Sequence, residues 1–220
     1  MQLEKLSLGE FAAQLDEPFS MVDMASVGDL TASLYLCQGT LAWHRHLDQD
    51  ELFWVHEGVT LLESERGDVR LRPGELAVVR KGLAHRSGSP LGSTVILIRC
   101  TVIPDRKNGR LRLYGTKENA PQRVNLHEAA KELSAPFQPQ TVAQVEDAAV
   151  QVVRGEGLWP ALEPPPHDIL IVVLNGEITI HTDQGSLSLR PNELTVIPQA
   201  TLCQLITSSE TVMGLVGREE

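Results

Sequence analysis

The sequence predicts an all-β protein made of two copies of one domain. Three observations lead there. Slid against itself at an offset of 118 residues, without a gap, the chain matches itself over much of its length. Within each copy, short β-rich runs alternate with Gly, Asp, Asn and Pro turns, as in sandwiches and barrels. One run per copy is apolar on both parities, the mark of a strand buried on both faces.

The repeat is carried by three segments in one register. "LGEFAAQLDEPF" (8–19) lies over "LHEAAKELSAPF" (126–137), and "VRLRPGELAVV" (69–79) lies over "LSLRPNELTVI" (187–197). Between them Gly58 falls on Gly176 and Gly67 on Gly185. The division expected is 1–104 and 123–220, with 105–122 as a linker. Each copy opens with a short helix, because Leu8, Phe11, Ala12 and Leu15 recur at helical spacing before a proline. The β runs follow: "LTASLYLC", "ELFWVHEG", "TLLESE", "VRLRPGE", "LAVVRKG" and "STVILIRC". In "ELFWVHEG", Phe53 and Val55 are apolar on one parity and Leu52 and Trp54 on the other. Its counterpart "ILIVVL" (169–174) is more so. Such strands predict a cover from the sister copy or a second chain, hence a homodimer.

Bulk properties narrow the function classes. The formal charge is −10, a sign that argues against nucleic acid and anionic membrane, which need a basic face to release counterions. The basic cluster Arg106, Lys107, Arg110, Arg112 and Lys117 falls in the linker and reads as solvated. Cys37, Cys100 and Cys203 are odd in number and far apart, which favours a reducing compartment over a disulfide framework. The N-terminal stretch carries acids early and lacks a continuous apolar segment, so it does not read as a signal peptide. No stretch approaches the ~18 apolar residues of a membrane span. The expectation is a soluble, cytoplasmic protein.

Chemistry concentrates in "WHRHLDQDEL" (43–52). Side chains two apart share a strand face, so His44 and His46 point one way and Arg45 the other. Glu51 has the wrong parity for one straight strand, but the turn-like "LDQD" lets the chain bend and bring it to the same interior. His85, in "RKGLAHRS", ends another short strand. Three imidazoles and a carboxylate suit Fe, Mn, Ni, Cu or Zn and poorly suit Ca or Mg. On these residues alone, a metal site and a hydrogen-bonded turn both stand.

The wider spacing adds a resemblance. "HRHLDQDELFWVHEG" reads H-x-H-x4-E-x6-G and "GELAVVRKGLAH" reads G-x5-R-x-G-x2-H. Both resemble the two motifs of the cupin superfamily. Arg80 stands where the second motif has Pro, Gly39 matches the leading Gly of the first only loosely, and Ser89 replaces the final Asn. The second copy supplies the Pro, as Pro198. The resemblance implies two tandem jelly-roll barrels, a bicupin, with one divalent transition metal held by His44, His46, Glu51 and His85. It also implies a coordination position left open for water, dioxygen or a chelating substrate.

The register then removes the site from the second copy. His44 lies over Leu162, His46 over Pro164, Glu51 over Ile169 and His85 over Cys203. His167 falls on the position of Gln49 and is no substitute. One metal per chain is expected, with the second copy in a structural role. Around the first site, Phe53 and Val55 are expected to line the interior and Trp43 to wall it or pack. Trp54 and His56 are expected to face away. Arg45, Lys81 and Arg86 flank ligands and are candidates to steer an anionic substrate. Tyr35 and Asp48 are candidates for proton transfer, although no spacing selects a catalytic residue. Neither a Ser-His-Asp set nor a phosphate-binding Gly loop is present, against covalent or nucleotide chemistry. The function expected is a metal-dependent enzyme of dioxygenase, other oxidoreductase or isomerase type on a small oxygen-rich metabolite. The alternative is a non-catalytic small-molecule-binding or sensor protein.

Overall fold

Turn-separated β runs do fold into strands. The computed structural model describes residues 2–101, 119–160 and 164–218, and residues 106–108 for their backbone. The side chains of the basic linker cluster, and Leu162, lie outside the described residues. Every strand pairing described is antiparallel, and the pairings form two sheets. The chain divides into two compact units: residues 11–125, and residues 1–10 together with 126–220. No helix among the described residues is long and apolar enough to cross a membrane.

In the unit 11–125 the long strand His85–Cys100 is the hub. It pairs with Leu30–Thr40, with Glu51–Gly58, with Thr60–Ser64 and, at His85, with His44 of the short strand His44–His46. Glu51–Gly58 pairs on its other side with Glu75–Val79. In the other unit Cys203–Arg218 plays the same part, pairing with Ala148–Leu158, Ile169–Asn175 and Ile178–Thr182. These are branched sheets, and their described pairings do not close into a ring.

Backbone irregularities recur at matched positions. The register slips between Val55 and Glu57 in one unit and between Val173 and Asn175 in the other. Each slip is a bulge that bends its strand. Just beyond lie Gly58, at φ 78°, and Gly176, at φ 81°. A Cβ on Gly58 would come within 2.5 Å of the Gly92 carbonyl oxygen, so both conformation and space demand glycine.

The copies' first residues pair in an exchanged way. Leu6–Ser7 pairs with Glu193–Leu194, whereas Val124–Asn125 pairs with Glu75–Leu76. These are equivalent places in the repeat, so each two-residue arm lies along the other copy's sheet. The arm supplies hydrogen-bond partners that an edge strand would otherwise lack. The helices are shorter than their periodicity suggests: Leu8–Ala12 and Leu126–Lys131. Each is followed by a turn before the proline. Phe19 and Phe137 come next, and both take a left-handed backbone (φ 65° and 57°).

Leu52, Phe53, Trp54 and Val55 are all buried within the single chain. The doubly apolar strand therefore needs no second chain to cover it, and the argument for a homodimer loses its premise.

Candidate metal centre

His44, His46, Glu51 and His85 come together. One donor atom from each lies within 4.8 Å of the corresponding atom of every other, and all four residues are buried. His44 and His85 face each other directly across an antiparallel pair, with ring centroids 4.3 Å apart. Glu51 enters from the start of the neighbouring strand. Its Oε2 accepts a hydrogen bond from His85 Nε2 at 2.9 Å and lies 3.4 Å from His46 Nε2.

The loop between His46 and Glu51 is fixed by Asp50. Its carboxylate accepts from Arg80 Nη1 at 2.6 Å and from the Lys81 backbone N–H at 2.8 Å. The Gly82 N–H donates to the His46 carbonyl at 2.6 Å. Arg80, the departure from the second motif, thus has a task of its own in tying the turn to the ligand loop.

The outer nitrogens of the imidazoles are engaged. His44 Nδ1 bonds the Ala42 carbonyl at 3.0 Å and His85 Nδ1 the Leu83 carbonyl at 3.1 Å. A carbonyl only accepts, so each Nδ1 keeps its proton; the second proton, which lets His85 Nε2 donate to Glu51 in the metal-free chain, must leave before Nε2 can present a lone pair to a metal. His46 Nδ1 faces the Gln49 amide nitrogen at 3.2 Å, and Gln49 Oε1 is buried without a partner. Turning the amide over resolves both: Oε1 then accepts from His46 Nδ1–H, and His46, like the other two, has Nε2 on the side of Glu51. The donor set and its surroundings fit a nitrogen/oxygen-liking transition metal.

Burial works against the Glu51 carboxylate. The hydrogen bond from His85 and the charges of His85, His46 and His44 outweigh it and hold the carboxyl at about 2, so Glu51 is an anion throughout the neutral range.

A cavity of about 320 Å³ opens beside the cluster. Its lining is mainly apolar, from Phe19, Met21, Leu41, Phe53 and Leu97, with Tyr35, Ser87 and Arg99 as polar groups beyond the four-residue cluster. Tyr35 Oη and Ser87 Oγ are hydrogen-bonded at 3.0 Å. Burial pushes the Tyr35 phenol well above its usual range, so it acts as a neutral hydrogen-bonding group.

Other sequence candidates are placed differently. Val55 packs in the core cluster with Leu62, Leu71 and Val95 and does not line the cavity. Arg45 is not at a rim: it is buried, donates to the Gly82 carbonyl at 3.0 Å and lies 3.8 Å from Glu65. Arg86 is held by both oxygens of Glu63 and sits over the Trp43 ring at 5.2 Å. Lys81 and Asp48 are exposed, and neither lines the cavity. Trp54 is buried outside that core cluster, and His56 stands apart from the four-residue cluster. The residue missed was Arg99.

Sequence comparison finds a match to the uncharacterized protein YdbB of Bacillus subtilis (strain 168), 30% identical over 79 residues, 36% of this chain and 70% of YdbB. The chain belongs to the YdbB family. Residues 164–218 of this chain also match a family model described as Homogentisate 1,2-dioxygenase N-terminal. Among solved structures, the fold is similar to a cupin 2 conserved barrel domain protein from Leptotrichia buccalis. The TM-score is 0.74 at 12% identity, covering 100% of this chain and 98% of that one. It is also similar to salicylate 1,2-dioxygenase from Pseudaminobacter salicylatoxidans (TM-score 0.78, 11% identity, 99% and 84% covered). A variant of oxalate decarboxylase from Bacillus subtilis follows at TM-score 0.59 and 11% identity, with 98% and 77% covered. The YdbB relative therefore has a cupin-type fold.

Its second copy is filled where the first is hollow. Phe137, the counterpart of Phe19, stacks on Trp159 at 5.3 Å and packs against a core that includes Ile171 and Leu215. Gly155, in the place of Cys37, makes room for it, since a Cβ there would strike the Phe137 ring. Pro164 and Ile169 occupy ligand positions, and burial raises the Cys203 thiol, which disfavours the thiolate that metals bind.

Proposed function

We propose that residues 11–125 form a metal centre in which His44, His46, Glu51 and His85 hold one divalent transition metal per chain: Fe, Mn, Ni, Cu or Zn. On this reading the chain is a bicupin of two jelly-roll domains, the second without metal. It is a metal-dependent enzyme of dioxygenase, other oxidoreductase or isomerase type, acting on a small oxygen-rich metabolite. One observation carries it: four buried donors converge within 4.8 Å, beside a cavity of a size for a small molecule. A bound transition metal would supply Lewis acidity and, for Fe, Mn or Cu, access to redox chemistry.

The chain's own residues supply the rest. Nδ1 contacts hold the imidazoles with Nε2 inward, and Asp50 fixes the loop that delivers Glu51. Phe19, Phe53 and Leu97 exclude water from the space beside the cluster, while Tyr35 offers a neutral hydroxyl for orientation. The names of a similar solved protein, salicylate 1,2-dioxygenase, and of the family model matched by residues 164–218 of the second copy, Homogentisate 1,2-dioxygenase N-terminal, support the dioxygenase class over the isomerase.

The second reading is a small-molecule-binding or sensor protein. Apart from the proposed ligands, no lining residue among those described is an ordinary acid–base catalyst, which favours it.

Elemental analysis of the purified chain beside His46→Ala tests the centre. About one metal per chain, lost in the variant, is expected. A metal-free chain that also refuses Fe, Mn, Ni, Cu and Zn on reconstitution would overturn the reading. Oxygen uptake with small phenolic and keto acids then separates enzyme from binder.

A further inference from the structure

We infer that the cavity takes a small organic acid. Arg99 holds its carboxylate, an oxygen on the adjacent carbon faces the His44–His46–Glu51–His85 cluster, and an apolar body of up to about one ring lies against Phe19, Phe53 and Leu97. The placement of the second oxygen rests on the metal reading above. The carboxylate on Arg99 does not.

Arg99 carries the argument. Among the described lining residues it alone bears a guanidinium, and its side chain is only 17% exposed. Its donors are poorly matched within the protein. Nη2 donates to the Met21 thioether at 3.2 Å, a weak acceptor. Nη1 stands 3.8 Å from Glu51 Oε1, beyond hydrogen-bond reach. A guanidinium presents a planar fork that a carboxylate fills with two parallel bonds. A fork at a mainly apolar cavity, with a thioether as its hydrogen-bond acceptor and its neighbouring carboxylate beyond hydrogen-bond reach, is a site waiting for that group.

Position sets the second requirement. Glu51 reaches the cluster through Oε2 and approaches Arg99 through Oε1, so one carboxylate's width separates guanidinium from cluster. A ligand that touches both must carry its second oxygen on the carbon next to its carboxylate, as 2-hydroxy acids and 2-oxo acids do. The 320 Å³ volume is at the small end for ligand pockets, which limits the body to about a ring.

The repeat gives an independent line. In the copy without the ligand set, Arg99 is matched by Gly217, Tyr35 by Val153 and Ser87 by Leu205. The polar lining and the ligand positions are absent together, as expected if they serve one ligand. The chain's net charge of −10 repels an anion at long range, so retention of an acid falls to the local cation.

The test is calorimetric titration with mandelate, mandelamide and phenylacetate, using zinc-loaded and metal-free protein so that no turnover intervenes. Mandelate is expected to bind zinc-loaded wild type roughly ten- to hundredfold more tightly than mandelamide, the range for a hydrogen bond to a charged group. Arg99→Gln, with unchanged zinc content and thermal midpoint, should bring that ratio close to unity. Arg99→Met serves if the glutamine variant folds poorly. Mandelate should exceed phenylacetate only when zinc is present. Equal binding of acid and amide by wild type overturns the inference. So does an acid preference that survives both Arg99 variants, or no binding of either acid at millimolar concentration. A chain that takes up neither zinc nor Fe, Mn, Ni or Cu sinks the metal reading instead, and the acid–amide comparison on metal-free protein then decides the role of Arg99 alone.

Discussion

Replacing Asp50 by alanine should damage both the unit's stability and its metal affinity, although Asp50 is not itself a proposed ligand. The Asp50 side chain is only 4% exposed and accepts two hydrogen bonds from the 80–81 turn. The bond from the Lys81 backbone N–H goes to a buried carboxylate and contributes about 1.5–3 kcal/mol. Arg80 has a side chain 38% exposed, so its ion pair is screened and contributes at most about 1 kcal/mol. Asp50→Ala should therefore cost about 2–4 kcal/mol and Arg80→Ala at most about 1 kcal/mol. At a urea slope of roughly 2 kcal/mol per M, Asp50→Ala lowers the midpoint by about 1–2 M. The assay is tryptophan fluorescence in a Trp159→Phe background, which leaves Trp43 and Trp54, both within 11–125, as reporters. Metal affinity should fall roughly ten- to a hundredfold, as for other groups that orient ligands from behind. An Asp50→Ala midpoint within error of Arg80→Ala, or metal affinity unchanged in Asp50→Ala, refutes the assignment of Asp50 as the brace of the ligand loop.

Acid should unfold the metal-free chain through Glu51. Its carboxyl is held at about 2 from an ordinary 4.5, so the stability it contributes is present above pH 4.5 and is lost as pH falls toward 2. Urea midpoints at pH 5, 4 and 3 should decline more steeply in wild type than in Glu51→Gln; parallel declines would rule out Glu51 as the cause. Tyr35 works at the other end. Burial raises it, so its contribution is full below pH 10 and declines as the phenol is forced to ionise, and Tyr35→Phe should blunt alkaline unfolding. Gly155→Ala should destabilise by about 1–3 kcal/mol through overpacking against Phe137. Adding Phe137→Leu should recover part of that loss, and additive effects of the two changes would contradict the contact.

Strand parity and a local turn made His44, His46 and Glu51 candidates for one interior, and the motif resemblance joined His85 to them as one ligand set. The HxH pair shares a face by alternation, and Glu51 follows a stretch whose Asp and Gln residues break the strand. Arg45 is a steering candidate in the sequence because parity says only that it points away from His44 and His46. That its side is interior, with Glu65 across from it, depends on strand pairing. Arg99 was within reach: in "STVILIRC" it shares a face with Val95 and Leu97, and Leu97 pairs with Phe53, which places Arg99 opposite Glu51. Finding it needed the long-range register of two strands more than forty residues apart in the chain. Phe19 and Met21 line the cavity at and just after a left-handed backbone position, Phe19, which no hydrophobic period announces. The exchanged arms were invisible because a two-residue strand carries no pattern.

The duplicated chain separates what maintains the fold from what maintains the site. Both copies keep the glycine that permits close strand approach, the bulge preceding it, the arm pairing and the left-handed phenylalanine. Those features recur regardless of what fills the interior, so they belong to the backbone. The interiors diverge as sets. One holds three imidazoles, a carboxylate, a phenol and a guanidinium around open space. The other replaces the described members of that set with apolar residues, glycine or a protonated thiol, and seats Phe137 on Trp159. A buried carboxylate or guanidinium with no partner is costly, so a copy that no longer binds a ligand gains stability by exchanging its polar lining for packed aromatic surface. The first copy retains that costly lining around a cavity, as the ligand site proposed above requires.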